Sequence, residues 1–182
     1  MKTLACCLAT ALALVASGDV NVTDSFDTYS WGHWASEKAD AKVGHDPSSG
    51  RTKPGAGRIR IGGAPGSRGS ACLLNTFKVQ PGREYTALVW VKVEGFEPTE
   101  RVSLSFQGKD EKVRFLGTSV IHTGRRIDAC RDWTRLVLTF TVPDEGRWND
   151  CRNLLVTISV PAGKPGTLWA DDFEFFETEE ED

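Results

Sequence analysis

Apolar and polar residues alternate in short runs along most of this chain. A period of two is typical of β-strands that bury one face, whereas a helix repeats every 3.6 residues. Turn sequences rich in Gly and Pro separate several runs, because these residues interrupt strand pairing. We therefore predict an all-β fold, an antiparallel β-sandwich. Its eight predicted strands are Gly57 to Ile61, Ser70 to Val79, Glu84 to Val93, Arg101 to Gln107, Lys112 to Val120, Trp133 to Val142, Arg152 to Val160 and Thr167 to Phe176.

The first residues follow a different pattern. One lysine precedes an apolar run from Leu4 to Ala16, and small residues follow the run. Such a run is too short to span a bilayer and is typical of a secretory signal. We expect residues 1–18 to be a signal peptide and the mature protein to be secreted, into the extracellular space or the periplasm.

Residues 19–176 are then predicted to form a single domain, because roughly 160 residues build one hydrophobic core. Within them, the segment from Gly44 to Gly69 is rich in Gly, Pro, Ser and Arg and contains one short apolar run, Ile59 to Ile61. We interpret it as a long surface excursion within the domain, and a linker between domains is the alternative. Residues 177–182 are mostly acidic. We interpret them as a solvated acidic tail.

Charge and motifs exclude several classes of protein. The 25 Asp and Glu residues outnumber the 22 Lys and Arg residues, so no net positive charge attracts nucleic acid. No apolar run is long enough to span a membrane. His33, His45 and His122 lie in three separate predicted loops, and no zinc-binding or phosphate-binding motif occurs. No residue pair suited to acid and base catalysis stands out, so we expect that the protein is not an enzyme.

Trp90 is the first candidate for a binding residue. In the strand from Glu84 to Val93, alternation buries Val89 and Val91 and places Trp90 on the outer face. The opposite assignment, with Trp90 in the core, stays open. An outward Trp beside hydroxyl and amide side chains is suited to binding sugars. Its ring covers apolar C–H groups while the polar side chains bind the sugar hydroxyls.

Polar residues of the following strands complete this predicted surface. Alternation places Ser103 and Gln107 outward, and Arg114 belongs to the next predicted strand. We predict that these three side chains form a sugar platform with Trp90. Trp148, in a polar loop, either extends the rim of the platform or anchors its own loop. If Trp90 is in the core, the site is expected among the tryptophans Trp31, Trp34 and Trp148.

Three of the five cysteines, Cys72, Cys130 and Cys151, lie in the predicted mature chain. Export favours oxidation, but an odd number leaves at least one thiol unpaired. If successive strands are antiparallel, the strands next to Cys72 and Cys130 begin at one end of the sandwich, and Cys151 lies at the other. A disulfide needs Cα atoms within about 7 Å. We predict either a bridge between Cys72 and Cys130 or three free thiols.

The strand from Gly166 to Phe176 contains two adjacent carboxylates, Asp171 and Asp172, in a largely apolar run. Burying such charge is costly unless a cation compensates for it, and a metal ion is one candidate. In this strand the chain resembles the carbohydrate-binding modules of the CenC type, families 4, 9 and 22. The resemblance extends to Tyr85 to Lys92, Trp133 to Pro143, and Phe26-Asp27 followed by Trp31 and Trp34.

That resemblance implies a galactose-binding-like jelly roll that binds a polysaccharide or oligosaccharide without catalysis. It also implies a structural Ca²⁺ between the N-terminal segment and the last strand, with oxygen ligands. The matching positions are Asp27, Asp46 with the neighbouring Ser48, and Asp171 or Asp172. In the alternative, one aspartate of the pair is exposed and the other accepts N–H bonds from a loop.

Two other functions stay open at this point. The domain is a secreted structural or adhesive sandwich without sugar binding, attached to a partner protein on the cell surface, or it is a polysaccharide lyase or glycoside hydrolase. The resemblance favours the carbohydrate-binding module over both.

Overall fold

The structure, a computed structural model, describes residues 21–28 and 30–178, without the side chains of residues 118–120. The predicted signal peptide and residues 179–182 of the predicted tail lie outside the described residues. Two short 3-10 helices, Ile127–Cys130 and Gly146–Asp150, accompany the strands. Neither helix in this part of the chain is long and apolar enough to cross a membrane. The strands are β1 (Asn21–Asp24), β2 (Gly32–Ala35), β3 (Ala41–Asp46), β4 (Ala56–Ile61), β5 (Ser70–Lys78), β6 (Glu84–Glu94), β7 (Arg101–Lys109), β8 (Phe115–Arg126), β9 (Thr134–Thr141), β10 (Asn153–Pro161) and β11 (Gly166–Glu177).

Two antiparallel sheets form the sandwich. Sheet A contains the strands β3-β4-β11-β6-β9 in that order, and β1 pairs with the part of β11 that β4 does not reach. Sheet B contains the strands β2-β5-β10-β7-β8 in that order. The predicted antiparallel β-sandwich is confirmed. Consecutive strands often belong to different sheets, and this decides which predicted side chains can meet.

The core lies between the two sheets and consists of the inward-facing residues of the long strands. Trp31 is 3% exposed and belongs to this core, where its ring centroid lies 4.8 Å from that of Phe173. Phe77 stacks on Phe173 at 5.4 Å and also meets the ring of Trp31 edge-on, at 6.4 Å. Burial of these large rings contributes strongly to stability. The largest fully buried side chains are Tyr85, Phe26, Phe106, Phe173, Phe175, Ile59, Ile61, Leu73, Leu104, Leu136, Leu154 and Ile158.

All eight predicted strands are present, and one of them is displaced. The strand predicted from Lys112 to Val120 spans Phe115–Arg126 instead. Its start is delayed because Asp110 closes a hairpin turn, in which its carboxylate accepts the backbone N–H of Arg114 at 2.8 Å. An Asp side chain commonly stabilises turns in this way.

The sequence does not predict the three N-terminal strands. β1, β2 and β3 have four to six residues each, too few for alternation to stand out. His33, His45 and His122 lie on β2, β3 and β8, so their assignment to loops is wrong. The segment from Gly44 to Gly69 contains the predicted strand as β4 and also the end of β3, which the sequence does not predict. Both strands belong to sheet A, so this segment is part of the sandwich.

Candidate functional site

Trp90 lies on the outer face of sheet A, so the prediction of an outward side chain is confirmed. Val89 and Val91 on either side of it are 0% exposed, whereas Trp90 is half-buried. The guanidinium carbon of Arg51 lies 3.8 Å from the centroid of its ring. A cation over an aromatic face is attracted by the ring quadrupole. The outer face of this ring is therefore occupied by another residue of the chain.

The platform predicted from Trp90, Ser103, Gln107 and Arg114 is wrong as a single surface. Trp90 belongs to sheet A, whereas Ser103 and Gln107 lie on β7 in sheet B. The outer sides of two packed sheets are opposite faces of a sandwich, because the core lies between them. Arg114 precedes β8, and its Nε bonds to Oδ2 of Asp110 at 2.7 Å in the hairpin turn. Of this set, the structure brings together Ser103 and Gln107.

Trp148 lies in the second 3-10 helix and serves as a loop anchor, one of the two roles that the sequence left open. Its ring meets that of Phe140 edge-on, with 5.3 Å between the centroids. The same ring lies so close to Gly108 that no Cβ fits there. Trp148 is half-buried in these contacts, which attach the helix to the end of the sandwich.

The outer face of sheet B carries an array of short polar side chains. Ser103, Ser105 and Gln107 project from β7, and Thr157 and Ser159 project from the adjacent β10. The register sets Ser103 opposite Ser159 and Ser105 opposite Thr157, and the hydroxyls of the second pair are hydrogen-bonded. Hydroxyl and amide groups can both donate and accept hydrogen bonds. This array is thus suited to a ligand that is rich in hydroxyl groups.

Trp34 lies on the same face, at the edge strand β2. It pairs directly with Cys72 of β5, whose side chain points away from the core because Ala71 and Leu73 beside it are 0% exposed. Directly opposite residues of an antiparallel pair project to the same side. Trp34 is 52% exposed, in contrast to the buried Trp31.

Little in the sequence identifies Trp34 as part of this face. Three of the four residues of β2 are exposed, so Gly32–Ala35 shows no alternation. The assignment comes from pairing with β5, a contact between segments almost forty residues apart that a local pattern does not contain.

Asp46, one of the predicted calcium ligands, is a buried hydrogen-bond acceptor with 5% exposure. Its Oδ1 accepts the backbone N–H and the hydroxyl of Ser48 at 3.1 and 2.7 Å. Its Oδ2 accepts Nε1–H of Trp169 at 2.9 Å, a guanidinium N–H of Arg58 at 3.2 Å and the hydroxyl of Ser49 at 3.1 Å. These bonds, above all that from Trp169, hold the pKa of Asp46 far below its usual range.

Asp171 and Asp172 lie at a β-bulge, where the register of β11 against β6 shifts. Two successive strand residues normally point to opposite faces. Asp172 has φ of 46°, in the left-handed region, and this turn lets both carboxylates meet the loop of residues 47–55. Phe173 still faces the core, with 0% exposure.

The cation at this pair of carboxylates is a side chain of the chain itself. Asp171, 1% exposed, accepts the backbone N–H of Arg51 at 2.6 Å and that of Asp172 at 2.8 Å. Burial raises the pKa of Asp171. Asp172 accepts the guanidinium of Arg51 at 2.7 Å and the hydroxyl of Thr52 at 2.8 Å. Asp171 thus accepts a loop N–H bond, as in the alternative left open by the sequence. The other half of that alternative is wrong, because Asp172 is not simply exposed but pairs with Arg51.

The residues present do not fit the Ca²⁺ site that the resemblance implies. Asp27 binds the ammonium group of Lys53, and this hydrogen bond lowers the pKa of Asp27. Ca²⁺ needs six to eight oxygen ligands, whereas both oxygens of Asp46, Asp171 and Asp172 already accept hydrogen bonds. Among the residues that the structure describes, no group of three or more His, Cys, Asp and Glu side chains could hold a metal ion.

The predicted bridge between Cys72 and Cys130 is absent, and the described cysteines Cys72, Cys130 and Cys151 are free and buried. Cys72 lies on the outer face of sheet B, next to Trp34. Cys130 lies in the first 3-10 helix, 0% exposed and packed into the core. The two thiols are therefore on opposite sides of the sheet B backbone. Three free thiols were the other alternative.

The fold is similar to that of several solved structures. The enzymatically active domain of bacteriophage CBA120 tailspike protein 4 has a TM-score of 0.59 at 14% identity, over 85% of this chain and 20% of that one. The CBM22-1 and GH10 modules of Clostridium thermocellum endo-1,4-β-D-xylanase 10B, solved with xylohexaose, have a TM-score of 0.61 at 18% identity, over 90% of this chain and 29% of that one. The CBM22-1 xylan-binding domain of Paenibacillus barcinonensis Xyn10C has a TM-score of 0.58 at 10% identity, over 88% of this chain and 95% of that one.

This chain therefore spans less than a third of the first two proteins and nearly all of the third. At these identities the likeness shows the fold alone. No curated protein gives a significant match to the chain. The sequence pattern of the family described as a carbohydrate binding domain, CBM families 4 and 9, matches residues 18–163. The chain belongs to this family of non-catalytic carbohydrate-binding modules.

Proposed function

We propose that this protein binds a polysaccharide or oligosaccharide on the outer face of sheet B, with Trp34 as the aromatic contact. The observation that carries the proposal is the 52% exposure of Trp34 on the same face as a polar array. An aromatic ring that is half exposed beside hydroxyl and amide side chains offers the mixed apolar and polar surface that sugar binding needs.

The chemistry of this face suits sugar rings. Trp34 offers a flat apolar surface for the C–H face of a ring. Ser103 and Ser159 lie in the same cross-strand row as Trp34, and Gln107 lies two rows away on β7. Neighbouring strands are about 4.8 Å apart, so Ser103 lies about 14 Å from Trp34 across three strand spacings. A ligand that contacts both is longer than one sugar ring, which favours an oligosaccharide or a polymer.

A solved relative supports an extended ligand of this kind. The Clostridium thermocellum xylanase modules, which share the fold, were solved with xylohexaose. The proposal for this chain takes from that protein the size of the ligand and not the identity of the sugar.

Export is part of the proposal. Residues 1–18 have the charge and the apolar length of a secretory signal. Expression of the full chain, followed by mass measurement of the protein in the medium or periplasm, tests this. A mature protein that begins near residue 19 is expected, and an uncut protein retained in the cytoplasm would contradict it.

Calcium is not part of the proposed function. Arg51 and Lys53 supply the positive charge that the neighbouring carboxylates need. The sequence suggested a metal ion as the source of this positive charge. We propose that Arg51 and Lys53 supply it instead.

The test begins with a glycan array probed with the purified protein, followed by titration of the best ligand into Trp34→Ala, Trp34→Phe and Val137→Ala. Trp34→Ala is expected to weaken binding by about 1 to 3 kcal/mol and to change stability by no more than about 0.5 kcal/mol, because the residue is exposed. Trp34→Phe is expected to retain most of the affinity. Val137 is 40% exposed on sheet A, so Val137→Ala is a matched control that should bind normally.

Three outcomes would overturn the proposal. If no glycan on the array binds, the alternative of a secreted structural or adhesive domain is favoured. Release of products from a polysaccharide favours a lyase or a hydrolase. A Trp34→Ala protein that binds its glycan as tightly as the parent would place the site elsewhere on the molecule.

A further inference from the structure

We infer that the glycan bound on sheet B is acidic and carries carboxylate or sulfate groups, an inference that rests on the proposed function. The five strands of sheet B contain five Lys and Arg residues and no Asp or Glu. The strands of sheet A contain eight Asp and Glu residues against five Lys and Arg residues. The chain as a whole has a net charge of −3, so the positive character of sheet B is a local property.

Arg101 and Arg126 lie directly opposite each other at one end of this face. Both are exposed. Like charges in directly opposite positions of a sheet are destabilising. Asp128 pairs with Arg126 at 2.9 Å, whereas Arg101 bonds to the carbonyl of Gly124 at 3.1 Å and has no carboxylate partner among the described residues. Asp128 offsets the repulsion, and Arg101 offers an exposed guanidinium to an anionic ligand at this end of the face.

A second cationic pair lies at the other end of the face. Lys78 on β5 and Lys109 on β7 flank Asn153 of β10 in the register. Neither ammonium group pairs with a carboxylate in the described part of the chain, and that of Lys109 lies 4.7 Å from the ring centroid of Phe115. Lys109 is eight positions after Arg101, which is about 26 Å along β7. The cations therefore bracket the polar array of the proposed site.

These groups match the chemistry of an acidic glycan. A guanidinium binds a carboxylate or a sulfate through parallel N–H bonds, and an ammonium group adds a point charge. The neutral parts of the sugar would contact the hydroxyls of Ser103 and Ser105 and the ring of Trp34. A single-stranded nucleic acid would need several stacking platforms. Among the described residues, this face offers one tryptophan for stacking, Trp34, and it lies at the edge of the sheet.

The test uses matched pairs of polymers in isothermal titration at low salt and at 0.3 M NaCl. Glucuronoxylan is compared with the same polymer after reduction of its carboxyl groups to alcohols, and dextran sulfate is compared with dextran. We expect the acidic member of at least one pair to bind at least tenfold more tightly at low salt, and to lose this advantage at high salt. The two pairs distinguish carboxylate from sulfate as the recognised group.

Variants then locate the charge effect on the surface. The double variant Arg101→Gln with Arg126→Gln is expected to lower affinity for the preferred acidic polymer by about tenfold, with an unchanged melting temperature and unchanged affinity for its neutral partner. Arg60→Gln is the control, because Arg60 is an exposed cation of β4 on sheet A. It should bind both polymers as the parent does.

The failure of this inference is distinguishable from the failure of the proposed function. Equal affinity for the acidic and neutral members of both pairs overturns the acidic class and leaves glycan binding intact. Binding of a single-stranded oligonucleotide more tightly than of any acidic polymer also overturns it. No binding of any glycan in the array overturns the proposed function and this inference with it.

Discussion

Arg51 lies over the indole ring of Trp90, with its guanidinium carbon 3.8 Å from the ring centroid. The same guanidinium bonds to Asp172 at 2.7 Å, and the backbone N–H of Arg51 bonds to Asp171 at 2.6 Å. One residue of the loop thus contacts two adjacent strands of sheet A. Trp90 therefore helps to hold this loop against sheet A. We expect truncation of its side chain to lower the stability of the protein and not its affinity for glycan.

Trp90→Ala is predicted to destabilise the protein while glycan binding stays within about twofold of the parent. Truncating a fully buried Trp costs about 3 to 5 kcal/mol. Trp90 is half-buried, and its contact with Arg51 is also lost, so we expect about 2 kcal/mol. Urea unfolding gives the stability, and titration on the same sample gives the affinity. A variant of normal stability that no longer binds glycan would show that Trp90 is the sugar platform after all.

The melting temperature is predicted to be the same in EDTA and in excess Ca²⁺. Arg51 and Lys53 already pair with Asp172 and Asp27. A metal ion would have to displace both side chains and the N–H donors of Asp171 before it found ligands. Calorimetry with chelator, with Ca²⁺ and with Mg²⁺ as a control measures this. A rise in melting temperature with Ca²⁺ alone would restore the calcium site that the resemblance implies.

Alkylation without reduction is predicted to find Cys72, Cys130 and Cys151 free. Burial raises the pKa of all three thiols, so little reactive thiolate forms in the folded protein. Labelling should be slow in the native state and complete after denaturation. Peptide mapping by mass spectrometry shows each site. A crosslinked peptide that contains both Cys72 and Cys130 would contradict the position of Cys72 on the outer face.

Much of the fold can be predicted from the sequence because long strands alternate visibly. In β6, Val89 and Val91 face the core and Trp90 faces outward, as the pattern indicates. The same alternation orients Ser103 and Gln107 of β7 correctly. These assignments depend on residues within one strand, where local physical chemistry is sufficient.

The composition of the site cannot be predicted in this way, because it depends on which strands share a sheet. β6 and β7 are consecutive in sequence and lie in different sheets, so Trp90 never meets Ser103. Trp34 reaches the polar face only through the pairing of β2 with β5. The cation at Asp172 comes from Arg51, in a loop that is 121 residues away in sequence. Such contacts are visible only in the folded chain.

Asp46→Ala is predicted to destabilise the protein by about 3 kcal/mol at pH 7, because Trp169 and Arg58 lose a buried charged acceptor. The pKa of Asp46 is lowered in the folded state. Its ionised form therefore contributes stability that is fully present above the unfolded pKa, about 3.9, and is lost as the pH falls through the lower folded pKa. The difference in unfolding free energy between parent and variant should narrow below about pH 4. Glu97 is an exposed residue that pairs with Lys164 at 3.6 Å, so Glu97→Ala is the control and should show no such gap at any pH. Urea unfolding of the three proteins between pH 3 and pH 7 measures the difference. A gap of constant size across this range would show that Asp46 stabilises the fold by its shape and not by its charge.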